Sequence, residues 1–483
     1  MVPETLHREL TDLLGPEGVV AHRAQLATYA SDGLTGYREL PGLAVLPATT
    51  DEVVACVRAC ARAGVPFVAR GAGTGLSAGA LPHPDGVLIV TARLRRILDL
   101  DVANRRMTVE PGVTNAEIGA AAAPHGLYYA PDPSSQIVCT IGGNLAENSG
   151  GVHCLKYGFT THHVLGVDFV TGQGELVRLG GDALDAPGYD LRGVVLGSEG
   201  TLGIATRIVL RLLPAPEAVR TLVADFASPA DAGRAVTAIT RAGIIPAGAE
   251  IMDRLAIQAC EADAQVGLNL AAGAVLLVEL DGPEAEVAAE FEAVQACCRE
   301  AGASALRVAA DATERALIWK GRKAAFAAMG RLAPDYFVQD GVIPRTRLGA
   351  VLEQIARLSE ESGFRVANVF HAGDGNLHPL VLYDAAAGEA AAAERVAQRI
   401  VELCVEAGGS ITGEHGVGVD KACSMPKMFG AEDLAVMQRV RAAFDPGGIA
   451  NPGKVFPTPR LCGERPGPYR PHPLEEAGLA ERL

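Results

Sequence analysis

The sequence predicts an α+β fold with two regions that differ in their pattern of secondary structure. Residues 43–213 show short strands, glycine-rich turns and few helices, whereas from Val219 onward strands alternate with longer helices. The second pattern is typical of an antiparallel sheet with helices on one face, a ferredoxin-like layer. Because 483 residues exceed what one hydrophobic core usually organises, two or three domains are expected.

Changes in composition place the domain boundaries. Pro214-Ala-Pro216 interrupts the alternating pattern before it, and the residues after Thr458 are rich in Pro and Gly. We therefore divide the chain into four parts: a helical lead-in at 1–37, a first domain at 38–216, a second domain at 217–457, and a poorly ordered tail at 458–483.

The first region is predicted to be a series of strands around one early helix. The segment Asp51–Arg58 is amphipathic with an acidic first turn, which favours a helix start. Runs of apolar and β-branched residues bounded by turn residues indicate strands. These runs are 65–69, 86–90, 97–101, 106–110, 166–171, 175–179 and 204–212.

In the second region, apolar residues alternate in some segments and recur at helical spacing in others. The alanine-rich stretch 385–407 is interpreted as a helix and not a linker, because its charges recur at i, i+3 and i+4. The predicted strands are 220–226, 273–281, 305–309, 365–370 and 377–382, and the predicted helices are 230–241, 284–300, 311–332, 346–362, 385–407 and 431–444.

Charge and cysteine spacing exclude several classes of protein. The formal net charge of −15, without a cluster of Lys and Arg, argues against nucleic acid as a partner. No apolar run is long enough for a transmembrane segment, and the N-terminus lacks a signal-peptide layout, so we expect a cytoplasmic protein. No cysteines have C-x-x-C or another cluster-binding spacing, so an electron-transfer role would need an iron–sulfur relay elsewhere.

The segment Arg70-Gly-Ala-Gly-Thr-Gly-Leu-Ser-Ala-Gly79 follows a predicted strand and carries a candidate phosphate site. Glycines at every second position let backbone amides approach a ligand, and two hydroxyls and an arginine suit a diphosphate. The spacing excludes a nicotinamide-type turn, since Leu76 stands three residues after Gly73 where a glycine is needed. The candidate residues are Arg70, Gly71, Ala72, Gly73, Thr74, Gly75, Leu76 and Ser77.

Two further glycine clusters lie in the same region. Cys139–Gly151 closely follows Pro131-Asp-Pro-Ser-Ser135, and Gly197–Gly203 comes later. Each cluster alone is readily explained as a tight turn. The three together indicate a large flat cofactor threaded between backbone segments.

The second region contains two motifs rich in histidine, His371-Ala-Gly-Asp-Gly-Asn-Leu-His378 and Gly413-Glu-His-Gly416. A hairpin within the first motif would bring His371 and His378 together, and Glu414 would add an oxygen ligand. Two imidazoles and a carboxylate with an open position suit a catalytic divalent metal, Zn²⁺ or else Mn²⁺ or Fe²⁺.

Two basic side chains are candidates for catalysis and substrate binding. His415, next to Glu414, is suited to act as a general base, with a purely structural hydrogen bond as the alternative. Arg322 lies on a predicted helix and has the planar fork that binds carboxylates, although most helical arginines are simply solvated.

In combination these motifs resemble those of FAD-linked oxidases of the vanillyl-alcohol-oxidase (PCMH) type, from about Pro41 to Phe456. Within that family the chain is most similar to the FAD-binding subunit of bacterial glycolate oxidase and its D-lactate and D-2-hydroxyglutarate dehydrogenase relatives. The closing segment 451–456, Asn-Pro-Gly-Lys-Val-Phe, belongs to the same set. The resemblance implies a two-part PCMH-type FAD-binding domain at 38–216 and an FAD-oxidase C-terminal domain, for substrate and metal, at 217–457.

The resemblance also implies how FAD is held. The loop at 70–77 would cradle the diphosphate, and because it has no histidine for a covalent link, non-covalent FAD is expected. Glu199, Gly200 and Ile204 would lie near the adenine or ribose. The other residues implied to line the cofactor are Pro131, Ser135, Thr140, Gly142, Gly143, Asn144, Gly150 and Asn451.

The reaction that the resemblance implies is loss of a proton from a 2-hydroxyl group with hydride transfer from C2 to flavin N5. The base would be His415, while Arg322 and Asn376 would hold the substrate carboxylate and hydroxyl. The implied metal ligands are His371, His378 and Glu414.

Departures from the family pattern favour a small monocarboxylate, glycolate or D-lactate. The D-2-hydroxyglutarate relatives have a lysine for the distal carboxylate in the segment matching 336–340, and this chain has none there. Asp340 would repel a second carboxylate if it faces the pocket. Phe326 stands where those relatives have a hydroxyl-bearing residue. D-2-hydroxyglutarate is the alternative substrate.

Two other functions are compatible with the motifs. A flavin-dependent transferase similar to alkylglycerone-phosphate synthase would use the same scaffold without the metal ligands, and a non-catalytic subunit would retain FAD for stability alone. For the oxidase, the resemblance implies that electrons leave through a quinone, oxygen or a partner. The implied partners are a second flavin-type subunit and an iron–sulfur subunit, which would place the chain at the inner face of the membrane.

Overall fold

The computed structural model describes residues 1–183 and 188–457 and divides them into two compact units. Unit 1 contains residues 1–149, 159–215 and the described residues from Glu414 onward, and unit 2 contains residues 150–158 and 216–413. The tail predicted at 458–483 lies outside the described residues, and the domain division made from sequence stays a prediction.

The helices of the described residues follow the chain in this order: α1 (Glu4–Leu14), α2 (Arg23–Leu26), α3 (Thr50–Ala63), α4 (Asn115–Ala122), α5 (Ile141–Glu147), α6 (Cys154–Tyr157), α7 (Leu191–Val195), α8 (Pro229–Arg241), α9 (Arg254–Ala264), α10 (Glu284–Glu300), α11 (Ala312–Ala328), α12 (Leu348–Ser362), α13 (Ala390–Glu406), α14 (Met425–Met428) and α15 (Ala431–Phe444). None of them is long and apolar enough to cross a membrane.

The strands of the same residues are β1 (Val19–Val20), β2 (Leu43–Val45), β3 (Phe67–Arg70), β4 (Val87–Val90), β5 (Ile97–Asp101), β6 (Arg106–Val109), β7 (Leu127–Tyr128), β8 (Val164–Thr171), β9 (Leu176–Gly180), β10 (Gly203–Arg211), β11 (Leu213–Pro214), β12 (Ala218–Phe226), β13 (Gly248–Asp253), β14 (Ala274–Gly282), β15 (Ala305–Val308), β16 (Asp335–Val338), β17 (Gly341–Val342), β18 (Val366–His371) and β19 (Asn376–Tyr383). The predicted α+β class is confirmed.

Unit 1 contains two main sheets. The first has the order β1-β2-β4-β3, with β4 parallel to both β2 and β3 and β1 antiparallel to β2. Helix α3 packs on it and begins where the Thr49 hydroxyl accepts a hydrogen bond from the Glu52 amide. The second sheet, β5-β6-β10-β8-β9, is antiparallel and shares a core with α4 and α5. The segment predicted as a helical lead-in therefore also supplies a strand, β1.

Unit 2 is built on one antiparallel sheet, β15-β12-β14-β13-β18-β19-β16, with β17 paired to β19. Helices α8, α10, α12 and α13 pack on one face, while α9 and α11 pack on the other. The expectation of helices on one face was therefore wrong. In β14, Leu276 and Val278 join one core and Val275 and Leu277 join the other, so both faces are apolar and both need cover.

Candidate active site

Arg70, the last residue of β3, supports the start of the glycine-rich loop through hydrogen bonds to a neighbouring backbone segment. Its guanidinium donates to the carbonyls of Tyr29 and Ser31, at 3.2 and 2.8 Å, so these N–H groups support the protein backbone. Gly73 has φ +72°, and a Cβ there would lie 2.2 Å from the Arg70 guanidinium. Only glycine fits this position without displacing Arg70.

The same loop contains a polar group suited to a bound ligand. The Ser77 side chain is fully buried, and its hydroxyl has no hydrogen-bond partner among the described residues. A buried hydroxyl without a partner is costly. In the same loop, Ala72 is exposed, and Thr74, Gly75 and Leu76 are half-buried. The loop therefore fits a diphosphate-bearing cofactor, which would supply the missing acceptor.

The second glycine cluster lies against this loop through Thr140. A Cβ on Gly71 would lie 2.2 Å from the Thr140 hydroxyl, which caps α5 by accepting from the Gly143 amide. Gly142 approaches Pro111 so closely that a Cβ would meet it at 2.6 Å. Asn144 is buried within α5. Thus close packing explains part of the glycine content of this cluster.

Two other predicted cofactor residues are placed by the segments around them. The carbonyl of Pro131 accepts from the Asn115 side chain at 2.9 Å, and the carbonyl of Ser135 accepts from the amides of Val138 and Cys139. Gly150 is buried and lies on the 150–158 segment of unit 2, whereas the other predicted FAD residues lie in unit 1.

The third glycine cluster joins three segments of unit 1. The Glu199 carboxylate accepts from the amides of Val417 and Gly418, at 2.7 and 2.6 Å, and burial raises its pKa. Asn451 donates from its side-chain amide to the carbonyls of Gly79 and Glu199. The arrangement fixes the backbone that follows Glu414 and His415.

The other two predicted residues of this cluster, Gly200 and Ile204, are explained by backbone conformation and by core packing. Gly200 has φ +72°, which favours glycine, and Ile204 on β10 is buried in the core beneath α3. Glu414 and His415 are neighbours in the chain, with 3.9 Å between the nearest carboxylate oxygen and ring nitrogen. That distance is too long for a hydrogen bond.

In unit 2, β18 and β19 form the hairpin predicted between His371 and His378. His371 pairs with Asn376 and Val369 pairs with His378 in the strand register. The two imidazole rings are 5.1 Å apart between centroids and perpendicular. The hairpin therefore gathers two potential metal ligands in one buried place.

Hydrogen bonds at Nδ1 determine which nitrogen each ring offers. His371 Nδ1 lies 2.7 Å from a carboxylate oxygen of Glu250, and His378 Nδ1 lies 3.3 Å from the carbonyl oxygen of Gln339. Both partners are acceptors, so each Nδ1 carries the proton and each Nε2 keeps its lone pair. This donor set fits a divalent metal bound through Nε2.

A buried guanidinium and a buried amide accompany the imidazoles in unit 2. Arg322 on α11 is 1% exposed and forms an ion pair with Glu250, while its Nε has no hydrogen-bond partner among the described residues. Asn376 is 2% exposed, and neither its amide nitrogen nor its amide oxygen has a partner in that same set. Both side chains fit a role in binding a polar ligand.

Two residues discussed for substrate choice also have defined neighbours. The Asp340 carboxylate is fully buried and accepts from the Thr412 hydroxyl and the Gly413 amide, at 2.5 and 3.0 Å. Its visible role is thus to hold the segment that leads to Glu414. Phe326 places its ring edge-on to His378, with 5.5 Å between centroids, so an apolar group lies beside that imidazole.

Sequence reasoning missed Glu250, which contacts both His371 and Arg322. It lies on β13, a strand that was not predicted, and its side chain is 0% exposed. A charged residue inside the short apolar segment Gly248–Asp253 was the available signal, because buried charges are rare without a partner.

Comparison with known proteins identifies the family. The model of the FAD linked oxidases, C-terminal domain, matches residues 215–455, and the model of the FAD binding domain matches residues 41–180. The chain is 52% identical to the glycolate oxidase subunit GlcD of Escherichia coli K12, covering 91% of this chain and 88% of that protein. The chain belongs to the FAD-linked oxidase family. This FAD-linked oxidase is therefore a FAD-binding oxidoreductase.

Two more comparisons extend the relationship. The oxidase is 32% identical to a D-lactate dehydrogenase of Anaerostipes hadrus, over 86% of this chain and 89% of that one. The crystal structure of p-cresol methylhydroxylase with substrate bound has a TM-score of 0.79 at 17% identity, covering 94% of this chain and 97% of that chain. The second similarity shows the fold, as predicted for the PCMH type.

Proposed function

We propose that this oxidase oxidises a small D-2-hydroxy monocarboxylate, glycolate or D-lactate, to the 2-oxo acid. The observation that carries the proposal is the ion pair that joins Arg322 to Glu250, which also contacts His371. A carboxylate-binding group and an imidazole are thereby held by one buried side chain. The names of the relatives, a glycolate oxidase subunit and a D-lactate dehydrogenase, support the same substrate class.

The proposed roles follow from the chemistry of each side chain. Arg322 binds the substrate carboxylate with its planar fork, and Asn376 binds the hydroxyl through its buried amide. His415 accepts the hydroxyl proton, which a neutral imidazole does near pH 7. When bound, FAD accepts the electron pair that the substrate loses.

The metal site is part of the proposal. Its ligands are His371, His378 and Glu414, of which the first two offer Nε2 lone pairs, and Zn²⁺, Mn²⁺ or Fe²⁺ suits this set. A divalent cation at this site makes a substrate hydroxyl more acidic. FAD is bound without a covalent link, because the loop at 70–77 has no histidine.

The preference for a small substrate rests on two positions. The Phe326 ring beside His378 offers no hydrogen bond to a second carboxylate, and the segment 336–340 has no lysine.

The proposed partners are a second flavin-type subunit and an iron–sulfur subunit, since no cysteine spacing here suits a cluster. Through them the chain would be peripheral to the inner face of the membrane.

An anaerobic reduction screen tests the proposal. Purified protein with bound FAD is mixed without oxygen with glycolate, D-lactate, L-lactate or D-2-hydroxyglutarate, and the visible absorbance of oxidised flavin is followed. We expect rapid bleaching by glycolate or D-lactate and slow or no bleaching by the other two. Bleaching by D-2-hydroxyglutarate alone would contradict the substrate assignment, and no bleaching by any of them would favour a non-catalytic subunit.

A further inference from the structure

Glu250 is a buried carboxylate that contacts two different functional candidates with its two oxygens. On β13 it stands directly opposite His371 of β18 in the antiparallel register. Oε1 lies 2.7 Å from His371 Nδ1, and Oε2 forms the ion pair with Arg322 Nη2 from α11. A strand on one side and a helix on the other thus meet at one carboxylate.

The charges of this cluster explain why it is stable when buried. Both Glu250 and Arg322 are almost fully inaccessible to water. A single buried charge costs several kcal/mol, whereas a close ion pair with further hydrogen bonds offsets much of that cost. His371 supplies the further hydrogen bond, so the Glu250 carboxylate is held from two sides.

Only a carboxylate satisfies both neighbours at once. His371 Nδ1–H and the Arg322 guanidinium are both donors, and a carboxylate presents two acceptor oxygens. A glutamine of the same shape presents one acceptor and one donor, so one neighbour would face an N–H group. The side chain at position 250 therefore determines the orientation of the His371 imidazole and that of the Arg322 guanidinium together.

We propose that Glu250 is the positioning residue that orients both the metal-binding imidazole of His371 and the carboxylate-binding guanidinium of Arg322. The inference rests on the proposed function of these two groups. Oε1 holds the Nδ1–H of His371, so that Nε2 is the nitrogen that would bind a cation, and Oε2 fixes the fork of Arg322 for an anion. Loss of the carboxylate is expected to weaken metal and substrate binding together.

The chain offers a matched control in Glu279. It lies on β14, the neighbouring strand, is 3% exposed, and accepts from the Thr221 hydroxyl and the Trp319 indole at 2.6 and 2.5 Å. It also contacts His153, at 3.4 Å. Glu279→Gln therefore makes the same chemical change in an equally buried carboxylate that contacts neither His371 nor Arg322.

The experiment compares Glu250→Gln with Glu279→Gln in the full-length protein carrying FAD. Zn²⁺ is titrated calorimetrically into metal-free protein, and KM and kcat are measured for the hydroxy acid that reduces the flavin. For Glu250→Gln we expect the Zn²⁺ Kd to rise about 10- to 100-fold, the range found when a partner of a ligating histidine is lost. KM should rise by at least about tenfold, because a hydrogen bond to a charged group is misplaced.

The control should leave Zn²⁺ Kd and KM within about twofold of the unaltered protein, since most substitutions away from a site act locally. FAD content reports correct folding in both variants. If Glu250→Gln does not fold, Glu250→Asp keeps the charge but is one methylene shorter, and an intermediate rise in both constants is expected.

Equal Zn²⁺ Kd and KM for the Glu250 variants and the control would overturn the positioning role. Failure of the unaltered protein to bind Zn²⁺ would overturn it too. If no 2-hydroxy acid reduces the flavin of the unaltered protein, the proposed function fails, while the Zn²⁺ titration still decides the role of Glu250. The two failures are therefore distinguishable.

Discussion

At the residue scale, burial decides what each charged group can do. Arg322 and Glu250 pair inside unit 2, where an unpaired charge would be destabilising. Arg331, by contrast, pairs with Asp263 at the surface, where water screens both charges. The same type of ion pair thus fixes a geometry in one place and contributes little in the other.

Substitution of Arg322 by lysine tests this difference. Arg322→Lys keeps the positive charge but loses the planar fork, so KM for the hydroxy acid should rise about 10- to 100-fold, the equivalent of one charged hydrogen bond. Steady-state kinetics measure the effect, and the surface variant Arg331→Lys is the control. An unchanged KM in Arg322→Lys would remove this arginine from the substrate site.

Asp253 gives a residue-scale prediction for stability. Its carboxylate caps α9 and accepts from the Asn368 amide groups, yet burial raises its pKa to about 6. Between about pH 4 and 6, the folded protein keeps a proton that the unfolded chain releases, so stability falls as pH rises through this window. The contribution lost is on the order of 3 kcal/mol, because each pKa unit corresponds to about 1.4 kcal/mol.

Asp253→Asn removes this titration. The melting temperature of the variant, relative to the unaltered protein, should increase from about pH 4.5 to pH 7. Asp311→Asn, which changes an exposed cap on α11, serves as the control and should show no such trend. Parallel pH profiles for all three proteins would contradict the prediction.

At the element scale, the hairpin β18–β19 and the segment 410–413 are held together by hydrogen bonds within unit 2. The Val342 amide donates to the carbonyl of Ser410, and Asp340 accepts from Thr412 and Gly413. This contact brings the Gly413 backbone against Asn376. The absence of a side chain at 413 is what leaves room for the Asn376 amide.

Substitution of Gly413 by alanine tests this packing. The new Cβ would lie 2.6 Å from the Asn376 amide, so the side chain must move. A displacement of about 1 Å in a positioning group lowers turnover by roughly 100-fold. We expect kcat/KM to fall while FAD content is unchanged. Gly330→Ala, where a Cβ would meet open space, is the control, and equal activity of the two variants would be inconsistent with the role of Asn376.

At the scale of the whole molecule, the two units carry different parts of the proposed chemistry. The glycine-rich loop at 70–77 and the segments tied by Glu199 and Asn451 belong to unit 1, as do Glu414 and His415, while the paired imidazoles and Arg322 belong to unit 2. None of the proposed metal ligands lies in the loop at 70–77, so cofactor retention and metal binding should be separable.

Removal of the metal tests this separation. Treatment with EDTA should abolish flavin reduction by the hydroxy acid without releasing FAD, and added Zn²⁺ or Mn²⁺ should restore it. Dithionite, which needs no substrate site, should still reduce the flavin. Full flavin reduction by the hydroxy acid in protein shown by elemental analysis to be free of metal would contradict a role for the metal in the reaction.

Local sequence was sufficient for much of the fold. The helix predicted at 431–444 is α15, and the predicted strands 365–370 and 377–382 became the hairpin β18–β19, because short-range periodicity and turn residues decide such elements. Strand β13 and helix α9 were missed. Glu250 breaks the apolar pattern of β13, and it is tolerated there only because distant residues neutralise it.

The sequence by itself determined the α+β class and the hairpin that brings His371 close to His378, and it predicted the glycine-rich loop at 70–77 as a cofactor site, since these depend on neighbours along the chain. Only the tertiary structure decided which distant side chains orient the residues of the candidate site. Glu250 is separated from His371 by 121 positions, and Asp340 from Gly413 by 73. Contacts of this kind leave no periodic trace in sequence, because they form only when sheet register and helix packing bring distant side chains into hydrogen-bond range.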